Sequence, residues 1–259
     1  MDQRIDALKP KERFSDKVEA YLHYRPHYPK EITPYLEEHL PLRKTDVVAD
    51  IGSGTGFLAE LFLENGNHII CVEPNKEMRE AGEHYLARRF TNFKSVDASA
   101  EHTTLPDQSV DLVTVAQAFH WFHHDEFRAE CRRILRGKHT VVLLWNIRDE
   151  TESPFLREYE SLVKKYGENY EQIRRKHSSE MEVKSFYEGK PILSAMFRHS
   201  QFFDFEGIKG RLLSSSYIPG EGSPRFQEMI EELKELFEKY HTEGKIELPH
   251  ETKLFLGTL

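Results

Sequence analysis

Short apolar runs alternate with helical patterns between residues 47 and 146. The runs read VVADI, HIICV, FKSV, DLVTVA and TVVLLW. Strands at this spacing, with helices between them, predict a parallel sheet. The runs are continuously apolar, as strands covered on both faces require, so the fold expected is a doubly wound α/β sheet. A first helix is expected from about Phe57 to Asn65, ended by Gly66. A second should start at Asn75, a good N-cap residue, and run to about residue 89. A third is expected from Asp125, as its cap, to about residue 135, before Gly137.

Beyond Asn146 the pattern changes. Residues 150–190 are charged, with helical stretches around PFLREYESLVKKY and EQIRRKHSSEMEVKSFY. They read as an insertion over the carboxyl ends of the strands, or as a solvated hairpin that only packs. Phe226, Met229, Ile230, Leu233, Leu236, Phe237 and Tyr240 form an apolar stripe at helical spacing, which is core rather than ligand surface. The segment ETKLFLGTL reads as a closing strand.

A chain of 259 residues with a formal net charge of -8 has no generic grip on nucleic acid. Two cysteines, Cys71 and Cys131, make neither a disulfide framework nor a zinc site. No apolar run is long enough for a membrane span, and the first residues lack the apolar core of a signal peptide. A soluble, cytoplasmic setting is the expectation, with a monomer or homodimer.

The sharpest signal is DIGSGTG, between the first strand and the first helix. Glycines there let the backbone turn tightly and let a ligand approach it. The helix N-terminus behind them favours an anionic group. A mononucleotide phosphate loop needs Gly-Lys-Ser/Thr, whereas this loop continues Gly56-Phe57-Leu58. A dinucleotide fingerprint counted from Gly54 meets Gly56 and then Ala59, which weakens that reading without removing it. The third reading is Asp50, Gly52, Gly54 and Gly56 as D-x-G-x-G-x-G. Glu73, at the end of the second strand, can accept both ribose hydroxyls of a nucleoside; the alternative is an exposed strand-end charge.

Six segments in order, RFSDKVEAYLHYRPHYP, DIGSGTG, VEPNKEM, VDASAEHTTLPDQSVDLVTVAQAFHWF, WNIRDE and LLSSSYIP, resemble class I S-adenosylmethionine-dependent methyltransferases. The resemblance is to the small-molecule subgroup related to trans-aconitate methyltransferases (methyltransferase type 11-like). It implies a Rossmann-like, mainly parallel seven-stranded sheet with a helical insertion after the fifth strand. It implies one domain with four parts: a helical lid over 1–40, a cofactor-binding core over 41–149, the insertion over 150–198, and completion of the sheet over 199–259. The cofactor implied is S-adenosylmethionine, leaving S-adenosylhomocysteine, with a small-molecule acceptor.

By the same resemblance, Asp50 and the glycines hold the aminoacyl end, Pro74 and Met78 pack on adenine, Asp97 and Ala98 meet the adenine amino group, and Gln117 lies near the sulfonium. Asp97 also reads as a turn residue, and Met78 as core. LRGKHTVV replaces the Pro-Gly-Gly turn that such proteins often carry before the fifth strand.

The acceptor pocket is expected at AFHWFHHDEF. Phe119 and Trp121 can wall it, and a ring face near a sulfonium adds cation–π attraction. His120 suits a base or a polar wall. Neighbouring histidines diverge, which speaks against a metal. Tyr21, Tyr24, Arg25 and Tyr28 read as a lid, or as a helix packed on the sheet edge. Asn146 and Arg148 are placed at the same mouth, with Arg25 and Arg148 as clamps for an anionic acceptor. Methylation of RNA or protein, a non-catalytic cofactor-binding regulator and a dinucleotide oxidoreductase are the rival readings.

Overall fold

A computed structural model describes residues 17–148, 153–168, 170 and 180–259. Part of the expected lid (1–16), Asp149 and Glu150, and most of the second expected insertion helix (171–179) lie outside the described residues.

Seven strands form one sheet: β1 Val47–Ile51, β2 His68–Val72, β3 Phe93–Val96, β4 Leu112–Ala116, β5 Thr140–Ile147, β6 Ile192–Phe203 and β7 Ile246–Thr258. Their order is β3-β2-β1-β4-β5-β7-β6. The first five run parallel, and β7 runs antiparallel to both β5 and β6. β1 meets β2 on one side and β4 on the other. The chain's direction of travel across the sheet reverses there, and a crevice opens at the carboxyl ends of the two strands.

The helices are α1 Val18–Tyr24, α2 Ile32–His39, α3 Phe57–Asn65, α4 Lys76–Ala87, α5 His124–Ile134, α6 Pro154–Tyr166, α7 Glu180–Phe186, α8 Phe205–Leu213 and α9 Phe226–Tyr240. One face of the sheet packs on α2 and α3 through Ile32, Leu36, Leu58 and Phe62. The other packs on α5 and α7 through Phe127, Cys131, Val183 and Phe186. A third core joins α6, α8 and α9 through Tyr159, Val163, Leu212, Met229 and Leu233. The apolar stripe of α9 therefore is core, in a layer beside the sheet.

Local signals place most boundaries. Gly66 ends α3 in the left-handed region (φ 100°). Asn75 caps α4 by accepting from the Met78 amide at 2.8 Å, and Ser153 caps α6 by accepting from the Leu156 amide. Three boundaries differ from expectation. Asp125 does not cap α5: His123 holds that position without a side-chain bond, and Asp125 pairs instead with Arg128, one turn on. The helical insertion stops short of 198, because residues 192–203 form β6. This edge strand leaves Met196 and Phe202 more than half exposed, so its apolar positions mark no core face. β7 begins before ETKLFLGTL and passes through Pro249. β5 pairs with it only from Glu251 onward, so the missing Pro249 N–H interrupts no ladder on that side. The turn before β5 puts both Gly137 (φ 61°) and His139 (φ 50°) in the left-handed region.

Candidate functional site

The crevice between β1 and β4 is the mouth of a cavity of about 450 Å³. The glycine loop forms its floor. Gly52, Gly54 and Gly56 have φ of 69°, 54° and 83°, where a side chain is strained. Gly52 also has no room: a Cβ there would lie 2.6 Å from the Ala118 Cβ. The Gly52 and Ser53 amides donate to the Val72 carbonyl, tying the loop to the end of β2. α4 presses on it through Gly82, where a Cβ would lie 3.0 Å from the Gly54 oxygen.

Carboxylates gather at this end. Glu73 accepts from the Gly54 amide at 3.0 Å and the Asn75 amide at 2.8 Å. Burial raises its pKa against those two bonds. Asp50 is 1% exposed. Its Oδ1 accepts from the Thr114 hydroxyl at 3.0 Å, while Oδ2 has no hydrogen-bond partner among the described residues. Burial, and then the charge of Glu73, push the Asp50 pKa up to about 7. A buried carboxylate oxygen of this kind suits a cationic donor such as an ammonium group. Pro74, Met78 and Glu101 complete this end.

The middle of the cavity is set by the turn after β4. Gln117 adopts φ 58°, uncommon for a residue with a side chain. Its amide donates to the Leu144 carbonyl and its side chain to the Asn146 carbonyl, both at 3.0 Å, which fixes the turn on β5. A single 3₁₀ turn, Phe119–Trp121, follows. It sends His120, 5% exposed, and Trp121 to the cavity, their rings 4.7 Å apart. Phe119 does not wall the pocket: it turns into the core, stacked on His124 at 4.0 Å. The His124 ring is occupied with the Phe119 carbonyl, and the His123 amide with Glu101. No group of three or more metal-ligating side chains gathers among the described residues.

Cations gather at the opposite end. Arg25, Arg148 and Arg211 line it with Tyr217, Tyr170 and Glu160. Arg25 donates to the Ser214 carbonyl at 2.9 Å, and its guanidinium lies 5.1 Å from the Tyr21 ring. Arg148 pairs with Glu160 at 3.4 Å. Arg211 is 2% exposed, and its Nε and Nη1 have no hydrogen-bond partner among the described residues; nor do the Nε atoms of Arg25 and Arg148. Burial, with Arg25 and Arg148 beside it, lowers the Arg211 pKa to about 9, so it stays charged at neutral pH. Burial raises the Tyr217 pKa, but Arg148 and Arg25 outweigh it and bring the hydroxyl below its usual range.

The residues singled out in the sequence converge, with exceptions. Asp50, Gly52, Gly54, Glu73, Pro74, Met78, Gln117, His120, Trp121, Tyr21, Arg25, Tyr28, Asn146 and Arg148 line the cavity. Gly56 lies behind the loop, against Leu86. Asp97 and Ala98 are not in the lining: Asp97 is an exposed partner of Arg79 at 2.9 Å, Ala98 is buried, and Ser99, Ala100 and Glu101 face the cavity instead. Tyr24 is likewise absent from the lining. Its ring lies over Gly210, where a Cβ would come within 2.1 Å, so it docks α1 on α8. Arg211 and Glu160 were not signalled by any motif, and Tyr217 lies in LLSSSYIP, where no role was assigned to it. The insertion lines the cavity through Glu160 and Tyr170.

Residues 49–143 match the methyltransferase-domain family. An uncharacterized methyltransferase-like protein of Schizosaccharomyces pombe is 32% identical over 59% of this chain and 58% of its own length. An uncharacterized methyltransferase of Mycobacterium bovis is 36% identical over 53% of each chain. The chain thus spans little more than half the length of the curated relatives it matches. The solved structure of a proposed type II methyltransferase from Anaeromyxobacter dehalogenans superposes with a TM-score of 0.64 at 22% identity, covering 91% of this chain and 98% of that one. That likeness establishes a Rossmann-like fold, and the family match covers the glycine loop and β1–β5.

Proposed function

We propose that this chain transfers a methyl group from S-adenosylmethionine to a small anionic acceptor. The observation that carries the reading is the polarity of one cavity, with carboxylates around the glycine loop and arginines at the far end. The residues present fit the cofactor. Glu73 offers a carboxylate to the ribose hydroxyls, Asp50 Oδ2 an acceptor for the ammonium group, and Pro74 and Met78 an apolar surface for adenine. Ser99, Ala100 and Glu101 border the adenine end, and Asp97 reaches it only by releasing Arg79.

When bound, the cofactor supplies a methyl group already activated by a sulfonium, so the protein's work is orientation and electrostatics. Alignment of this kind is worth about 7–11 kcal/mol of a barrier. Gln117 and Trp121 border the centre of the cavity, where the indole face favours a neighbouring cation. Tyr21, Arg25 and Tyr28 close over the top and exclude water. Arg25 and Arg148 attract the acceptor. A carboxylate acceptor needs no base at neutral pH; for a hydroxyl, His120 is the cavity's candidate to take the proton.

Calorimetric titration with S-adenosylhomocysteine tests the reading, with NADH and the Glu73→Ala variant as controls. Selective binding of S-adenosylhomocysteine, lost in the variant, is expected. Binding of NADH instead, or no binding by folded protein, refutes it.

A further inference from the structure

Three guanidinium groups, those of Arg25, Arg148 and Arg211, face one end of the cavity, and Glu160 is the only carboxylate lining that end among the described residues. The charge left over is two positive units. The guanidinium least reconciled to the interior is that of Arg211; Arg148, beside it, is answered by Glu160 and the Tyr217 hydroxyl but keeps its Nε without a partner among the described residues. Arg148 holds Glu160 at 3.4 Å, a long contact, and Arg211 keeps two nitrogens without hydrogen-bond partners among the described residues. Buried guanidinium groups are costly until an anion answers them, and a planar fork is suited to carboxylate or phosphoryl oxygens.

The sign of this charge bears on which group of an acceptor it can hold. When an anionic oxygen takes a methyl group, its lone pair forms the new O–C bond. The S–C bond breaks, and its electron pair stays on sulfur. The oxygen loses its negative charge as the bond forms. Arginines gripping that oxygen favour the ground state over the transition state, and so slow the step. They also lose their counter-ion in the product. A group that keeps its charge throughout has neither defect.

We infer that the Arg148–Arg211 end of the cavity, with Tyr217, is an anchor for a spectator anion: an acidic group of the acceptor that is not the one methylated. The acceptor is then bifunctional. It carries a carboxylate or phosphoryl group at the arginines and a separate nucleophile near Gln117 and Trp121, and the product leaves as an anion. This rests on the methyl-transfer reading for the identity of the second group, but not for the anchor itself. Arg211 is its specificity residue.

The test uses the full chain, with and without S-adenosylhomocysteine, titrated with inorganic phosphate, malonate and acetate. Phosphate and malonate should bind at least ten-fold more tightly than acetate. Arg211→Met should weaken both at least ten-fold with S-adenosylhomocysteine affinity within two-fold of wild type, and Arg211→Lys should keep most of the binding. Preference for phosphate or for malonate identifies the anchor group. In a crystal of the ternary complex with malonate, one carboxylate should sit on Arg148 and Arg211 and the other nearer the sulfur. The inference fails if no dianion binds, if acetate binds as well, or if Arg211→Met leaves binding unchanged. It fails also if S-adenosylhomocysteine affinity falls with Arg211, which would give the arginines to the cofactor's own carboxylate, or if the arginine-held oxygen is the one at the sulfur. Dianion binding without any S-adenosylhomocysteine binding would leave the anchor standing and remove the methyl-transfer reading.

Discussion

The Gly54 amide donates to Glu73 Oε2 at 3.0 Å, so the glycine loop after β1 is latched to the carboxylate that ends β2. One side chain shapes the loop and faces the cavity. Replacing it therefore has two effects that separate by variant. Glu73→Gln keeps an oxygen for the Gly54 amide but removes the charge offered to a ribose. Hydrogen bonds to charged groups contribute about 1.5–3 kcal/mol, so S-adenosylhomocysteine affinity should fall roughly ten- to a hundred-fold, with little change in melting temperature. Glu73→Ala should lower both. Calorimetry and thermal melts on the two variants check this.

Asp50 makes the site's affinity depend on pH. Its folded pKa, about 7, lies above the ordinary carboxyl value of 3.8. Between those values the native chain holds a proton that the unfolded chain has released. The stability this contributes is complete below pH 4 and lost as pH rises through 7. Relative to wild type, Asp50→Asn should thus gain stability from pH 5 to pH 8 in thermal melts. An ammonium group beside Oδ2 favours the ionised form. S-adenosylhomocysteine should bind more tightly at pH 8 than at pH 6, with protons released, as measured by calorimetry in buffers of different ionisation enthalpy.

Gly52 and Gly137 share a left-handed backbone (φ 69° and 61°), but only Gly52 is crowded. Alanine at either should cost about 1–2 kcal/mol for the backbone alone. At Gly52 the Ala118 contact adds overpacking of roughly 1–3 kcal/mol. Gly52→Ala should melt several degrees below Gly137→Ala and lose S-adenosylhomocysteine binding, while Gly137→Ala keeps it.

Glu160 is 5% exposed at its side chain and pairs with Arg148. Removing one partner of a buried pair costs about 3–5 kcal/mol; the 3.4 Å separation sets the expectation at the lower end. Glu160→Gln should lower the melting temperature in dilute buffer. Millimolar phosphate should recover more of it than it adds to wild type, because an anion bound only by the folded chain stabilises by mass action.

What the sequence discloses follows from how local each signal is. Asp50, the three glycines, Glu73 and the Asn75 cap lie within 26 consecutive residues, and left-handed backbone at the glycines and the helix cap at Asn75 impose those types locally. The α3 boundaries and all five parallel strands were equally legible: in β4 and β5 both-face burial leaves long apolar runs, whereas β3, FKSV, is only partly buried and is placed by its spacing. Arg211 is different. It stands in GIKGRLL, where no motif marks it, and only the docking of α8 beside α1 and α6 brings it to a cavity whose floor was laid some 150 residues earlier. For Asp97, which the resemblance sets at the adenine, the structure shows a pair with Arg79, one turn into α4, on the surface. β6 was hidden because an edge strand with exposed Met196 and Phe202 lacks a one-sided apolar pattern.

β7 lies between β5 and β6, although it is the last strand in the chain. The sheet therefore cannot be finished in the order in which it is synthesised. Residues 47–121 can assemble the carboxylate end of the cavity from neighbouring β–α units. The arginine end must wait for β7 to slot against β5 across a loop of about a hundred residues, a slow step because distant segments must meet before any contact rewards them. Refolding followed by pulse-labelled hydrogen exchange should show β1, β2 and β4 protected ahead of β6 and β7, so that the carboxylate end of the cavity matures before its arginine end.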